Sequence, residues 1–119
     1  MRKILLVNEV DYERVEWGLT KTLVGPQNVG SKKLKVNITE YLPGHVHKLH
    51  SHPNQEEVIY VLSGKGITET EEGKRKIEPD SVVFIPEGVK HATWNLSRSE
   101  SLKAIIIMAP SEVSLSNTL

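Results

Sequence analysis

Residues 44–64 read GHVHKLHSHPNQEEVIYVLSG, with four of the five histidines of the chain at positions 45, 47, 50 and 52 and a glutamate pair at 56 and 57. Neutral imidazoles and carboxylates are ligands for zinc, iron, manganese, nickel and copper, so the crowding points to a shared cation. His50 and His52 stand two apart, the spacing that puts both rings on one face of an extended strand. Neighbouring strand residues face opposite sides, so Glu56 and Glu57 cannot both reach one ion. Glu57 heads the apolar run Val58–Leu62, which reads as a strand ending at the Ser63-Gly64-Lys65-Gly66 turn.

On either side of this stretch the chain reads as short strands separated by turn residues. Residues 3–7, KILLV, are expected as a short strand, and 15–24 as another, broken or bulged at Gly18. A loop follows at 25–33, rich in Gly, Pro, Asn and Ser. Residues 34–42 alternate, with Leu34, Val36 and Ile38 against Lys35, Asn37 and Thr39. Alternation alone lets Asn37, Thr39 and Tyr41 face either an interior or water. Residues 67–77 read as a hairpin about Glu72-Gly73, 81–86 as a short buried strand, and 91–96 and 102–110 as the last strands. The run from Ala104 to Ala109 is apolar throughout, which implies cover on both faces, as sheet core or a dimer interface. No stretch keeps a helical period, and the tail 111–119 fits an added strand, a short helix or a frayed end. The pattern calls for an all-β sandwich or barrel, whose inward side chains can meet around one ion.

Composition excludes several functions. The 119 residues fit one domain, 1–119. Fifteen basic and fifteen acidic residues balance, with no run of one sign, so neither nucleic acid nor a membrane surface is an expected partner. No stretch is long and apolar enough for a signal peptide core or a membrane span, so a cytoplasmic location is expected. With no cysteine, thiolate metal sites and thiol nucleophiles drop out and only nitrogen and oxygen ligands remain.

A second stretch, PDSVVFIPEGVKHATWN at 79–95, completes the first. Together the two resemble the paired signature motifs of the cupin superfamily. Gly44, His50, His52, Glu57 and Gly64 match the first motif; Pro86, Gly88, His91 and Asn95 match the second. Asp80 stands where the second motif opens with glycine, and aspartate is among the few residues that tolerate a left-handed turn. The likeness covers about residues 34–109, leaving strands 3–24 and the tail 110–119 as arms that would complete a homodimer.

The resemblance implies a single-domain jelly-roll β-barrel holding one divalent transition metal (Mn, Fe, Zn, Ni or Cu) on His50, His52, Glu57 and His91. The six-residue spacing to Gly64 selects Glu57 over Glu56. Thr93 and Asn95 would share the inward face of His91. Three imidazoles and one carboxylate would leave an octahedral ion two open positions for water or a ligand. His45 and His47 match no ligand position and read as surface or pocket-mouth residues. Glu56 reads as solvated, Asn95 as a backbone tie, and Trp17 and Trp94 as packing.

Two classes of function follow. One is a metal-dependent enzyme acting on a small oxygen-rich molecule, with the dioxygenase, oxalate-acting or isomerase chemistry found among similar proteins. The other is a module that binds or senses a small ligand through the metal without turnover. No acid or base outside the ligand set is identifiable from the residues, so no reaction is selected.

Overall fold

A computed structural model of the protein describes residues 3–111, the side chains of 46–48 apart. The described chain is almost entirely β: ten strands and one 3-10 turn, Val7–Glu9. The strands are β1 (Glu13–Val15), β2 (Gly18–Val24), β3 (Lys35–Tyr41), β4 (Val46–His50), β5 (Glu56–Ser63), β6 (Gly66–Thr70), β7 (Gly73–Ile77), β8 (Val82–Ile85), β9 (His91–Asn95) and β10 (Leu102–Ala109). They form two antiparallel sheets, one ordered β1-β2-β3-β10-β5-β8 and the other β4-β9-β6-β7. This is the expected jelly roll, as two sheets that do not join into a closed barrel.

Residues paired across antiparallel strands share a face, so the register defines the interior. Leu102, Ala104 and Ile106 of β10 pair with Tyr41, Thr39 and Asn37 of β3, and Ala104 and Ile106 pair with Val61 and Ile59 of β5. The polar side of β3 therefore lines the interior, the alternative that alternation left open. One end is packed by Tyr41, Val61, Ile77 and Leu102, with Trp17 stacked on Tyr41 at 4.9 Å. Ile59, Ile85, Ala104 and Ile106 fill the space next to it, with Met108 and Val89 against them.

Four local expectations are corrected. Residues 3–7 form no strand; the Glu9 carboxylate accepts a hydrogen bond from the Leu6 N–H at 2.7 Å, closing the 3-10 turn instead. The Val7 and Val10 carbonyls are taken by the Lys21 ammonium, at 3.0 and 3.1 Å, which pins this segment across the outer face of the larger sheet. Residues 15–24 divide into β1 and β2, a hairpin turning at Glu16-Trp17. Strand β8 is buried on one side only: Ile85 points inward, whereas Val82 is 63% and Phe84 54% exposed. The outer side of β10 is also incompletely covered, Ile105 and Ile107 being half-buried. The tail beyond Ser111, for which three conformations were open, lies outside the described residues.

Two turn positions are decided by backbone sterics. Gly64 has φ +89°, and a Cβ there would meet the Ser101 carbonyl oxygen at 2.5 Å and Leu102 Cα at 2.8 Å, so the turn requires glycine. Asp80 takes φ +69°, the left-handed conformation its place in the second motif demands. Its N–H donates to the Val61 carbonyl at 2.9 Å, and the Tyr60 hydroxyl donates to its carboxylate at 2.6 Å.

Candidate metal centre

Strand β4 delivers His50 opposite His91 of β9, after a register shift between His47 and His50. His52 lies beyond the strand, in a loop that turns through Asn54 at φ +61°. The expectation of two rings on one strand face is corrected in its cause: strand alternation carries His50, and the turn brings His52 back. The His52 carbonyl accepts the Gly88 N–H at 3.0 Å, tying the second signature stretch to the first.

The three imidazoles converge. Ring centroids lie 4.0 Å apart for His50–His91, 4.8 Å for His50–His52 and 5.5 Å for His52–His91. One ring nitrogen from each falls within 4.8 Å of the others. The Glu57 carboxylate, on the inward side of β5, sits 3.7 Å from His52 Nε2 and 3.5 Å from His91 Nε2. Glu57 is only 7% exposed and His91 2%, whereas Glu56 faces water.

His91 Nδ1–H donates to the Val89 carbonyl at 3.0 Å, which turns the Nε2 lone pair toward the cluster. That Nε2 is buried with no hydrogen-bond partner, and a buried acceptor of this kind calls for an ion. Ligands on opposite sides of an ion at about 2.0–2.1 Å are roughly 4.2 Å apart, so small rotamer adjustments would bring the nitrogens to bonding distance. The three histidines thus fit a metal ion.

The Glu57 carboxylate and burial pull the proton affinities of the imidazoles in different directions. Burial lowers the His91 pKa, but Glu57 and the Val89 carbonyl outweigh it, leaving the pKa above the ordinary imidazole value. His52 is held below that value by burial and by the neighbouring His91, against the pull of Glu57. Tyr41 is buried; desolvation and the Glu57 charge raise its pKa, against a hydrogen bond with Thr93, so its hydroxyl keeps its proton.

Residues set aside by spacing also lie apart from the cluster or outside the described side chains. His45 is tied by its Nδ1 to the Pro43 carbonyl at 3.0 Å, and the His47 side chain is outside the described residues. Asn95 ties backbone, as expected: its Nδ2 donates to the Tyr41 and Glu100 carbonyls at 2.7 and 2.8 Å. Thr93 and Asn95 share the buried inward face of β9 with His91. Trp17 packs on the core, and Trp94 lies on the outer face beneath Lys74. Tyr41, which alternation on β3 left free to face the interior or water, lies on the buried interior side.

Two facing antiparallel sheets with a histidine cluster between them define a jelly roll with a candidate metal site. The Cupin domain model matches residues 37–108, and the chain belongs to the cupin family. In fold it is similar to KdgF from Halomonas sp., with TM-score 0.82, 21% identity and 94% and 96% of the two chains covered. It is also similar to the Lactobacillus farciminis oxalate decarboxylase formate complex, with TM-score 0.78, 20% identity and 90% and 33% covered. In sequence it is 25% identical over 99 residues to the polyketide synthase CurC of Streptomyces cyaneus, covering 83% of this chain and 64% of that protein. Over 78 residues it is 26% identical to the tetracenomycin polyketide synthase protein TcmJ of Streptomyces glaucescens, covering 66% and 52%. The chain thus spans less than two thirds of the length of these curated relatives. No helix among the described residues is long and apolar enough to cross a membrane.

Proposed function

We propose that the protein holds one divalent transition metal ion on His50, His52, Glu57 and His91 and uses it to bind and transform a small oxygen-rich molecule. The observation that carries this is the convergence of three imidazoles on one point, with a buried carboxylate within 3.7 Å of two of them. A bound ion would act as a Lewis acid on a coordinated oxygen of the ligand. Glu57 would lower the net charge of the loaded site, and Val89 would keep His91 in the tautomer that presents Nε2. The protonated Tyr41 hydroxyl, near Glu57 and bonded to Thr93, offers the interior a hydrogen-bond donor. Ile85 and Met108 pair with Glu57 in the sheet register and set apolar side chains beside the carboxylate.

Elemental analysis of protein purified without a tag tests the ligand set, with one metal per chain expected and loss in His50→Ala and His91→Ala. Full occupancy in either variant would refute the assignment. The relatives are named for oxalate decarboxylation and for polyketide synthesis, so the turnover panel should span dicarboxylates, diketones and phenols, with oxygen uptake and product both followed. Ligand-dependent melting shifts without turnover would overturn the enzymatic part in favour of a metal-dependent binding module.

The same reading includes a homodimer. Tyr60 pairs with Val82 and Val58 with Phe84, and both pairs continue into Ile105 and Ile107, so an apolar band crosses the outer face of the larger sheet. Such a face is complementary to a second copy of itself. Light scattering should give twice the chain mass, and Phe84→Glu should give the monomer.

A further inference from the structure

The register divides the inward wall of the larger sheet into two materials. On β2 and β3, Thr20 pairs with Thr39 and Thr22 with Asn37, so polar side chains share that part of the wall. On β10, β5 and β8, Ala104, Ile106, Ile59 and Ile85 make the adjoining part apolar. Thr20 and Thr39 satisfy each other, their hydroxyl oxygens 3.0 Å apart. Asn37 differs: its amide oxygen is buried with no hydrogen-bond partner, although the residue as a whole keeps some accessible surface. Such an oxygen costs desolvation energy that an apolar side chain of the same size would not.

Asn37 also borders the surroundings of the metal site. Its β10 partner Ile106 belongs to the cluster on which Met108 and Val89 pack. Met108 pairs with Glu57, and the Val89 carbonyl holds His91. Four residues further along the same face of β3, Tyr41 feels the charge of Glu57. Asn37 therefore stands on β3 between Tyr41 and the cross-strand row of Glu57. Two strands and one row separate it from that carboxylate, about 12 Å between Cα atoms. Once both side chains have reached inward, a molecule of three or four carbons spans the remainder. With no donor on its oxygen, the amide turns about χ2 without breaking a bond on that side, and a ligand hydroxyl can meet it.

We infer that Asn37 is a specificity-determining residue of this site: it accepts a hydrogen bond from a hydroxyl remote from the metal-binding end of the ligand, whose hydrocarbon face lies on Ile106 and Ile59. The substrate class narrows to small molecules carrying that second hydroxyl. The inference rests on the proposed metal site. Calorimetry on zinc-loaded protein tests it with L-threonate and 2-hydroxybutanoate, which share four carbons and an α-hydroxy acid and differ in the hydroxyls on the third and fourth carbons. Wild type should prefer threonate by about threefold or more. Asn37→Leu should abolish the preference and leave both zinc content and the affinity for 2-hydroxybutanoate as they were. Asn37→Asp, which keeps an acceptor at the same place, should retain it. In urea unfolding without metal or ligand, Asn37→Leu should have a midpoint equal to or above that of wild type, because it removes an unpaired buried oxygen.

A threonate preference that survives in Asn37→Leu would overturn the proposal, as would zinc-loaded wild type that binds neither acid or binds both equally. A lowered urea midpoint in Asn37→Leu would overturn it too, since the amide would then be a bonded part of the frame. Zinc content separates this failure from that of the proposed function: wild type that takes up no zinc refutes the metal site and this inference with it, whereas zinc without a hydroxyl preference refutes the role of Asn37 alone.

Discussion

The two ends of the space between the sheets are made of opposite materials. At one, Tyr41, Val61, Ile77 and Leu102 pack into a cluster in which Val61 and Leu102 are fully buried. At the other, His50, His52 and His91 converge beside Glu57. Both ends draw on the same strands: β5 supplies Val61 to the first and Glu57 to the second, four residues apart on one inward face. Packing at the first end contributes stability without an ion, whereas buried imidazoles and a carboxylate without an ion cost desolvation energy. The apolar end holds the frame, and the polar end depends on the frame for its geometry.

That division is broken most severely by Leu102→Ala. The side chain is wholly buried between the sheets, so the substitution should cost about 2–5 kcal/mol in urea unfolding. Chains that remain folded should still bind one metal. Loss of metal from folded Leu102→Ala protein would show that the two ends are not separable.

The reverse experiment acts on the polar end. His91→Ala, or removal of metal by a chelator, should abolish the stabilisation that binding adds, about 2.7 kcal/mol when free metal stands at a hundred times its Kd. The circular dichroism of the folded state should be unchanged. Protons should do the same job gradually, because the His91 pKa lies above the ordinary imidazole value and protons compete with the ion for Nε2. Occupancy, followed by stepwise dialysis and elemental analysis, should be full at alkaline pH and fall as pH drops through the raised pKa of His91. Full occupancy at about pH 4 would count against histidine ligation.

The polar end was the more legible of the two in the sequence. The spacing of His50, His52, Glu57 and His91 within two signature stretches singled out the four residues before any fold was known. The positive φ of Gly44, Gly64, Asp80 and Gly88 agrees with the turn roles those motifs require. Less legible was whatever depends on which side of a strand faces in. Asn37, Thr39 and Tyr41 alternate with apolar residues, and hydrophobicity alone would put Val36 and Ile38 inside. The polar set is inside instead, and Ile38 is buried on the outer face, alongside Lys21, which the 7–12 segment covers. Cover supplied by a distant segment leaves no local periodicity to read. The same holds for β8, where four residues with an apolar look have only one sheet to lie against.

A smaller effect probes the turns that set the closed end. At Gly64 the added methyl of Gly64→Ala would face the backbone of Ser101 and Leu102, which cannot swing aside as a side chain would. The positive φ adds strain, so the loss should exceed about 1 kcal/mol. An unchanged denaturation midpoint would mean that β5 and β10 separate there more easily than their contacts imply.

Asp80→Gly is the smallest change and the most discriminating, because two effects oppose each other. Glycine relieves the left-handed backbone at φ +69° but gives the unfolded chain more freedom and removes the carboxylate that accepts the Tyr60 hydroxyl. Stability should therefore move by less than about 1 kcal/mol. A second readout separates the contributions. The Tyr60 pKa is raised first by its hydrogen bond to Asp80 and then by the charge of that carboxylate. In Asp80→Gly it should fall back toward the ordinary phenol value, visible as one tyrosine ionising at lower pH in an ultraviolet titration. Asp80→Asn keeps an acceptor but loses the charge, and should fall between the two. A titration unchanged in all three proteins would mean that the carboxylate is not bonded to Tyr60 in solution, and aspartate would then hold the turn through its backbone tolerance alone.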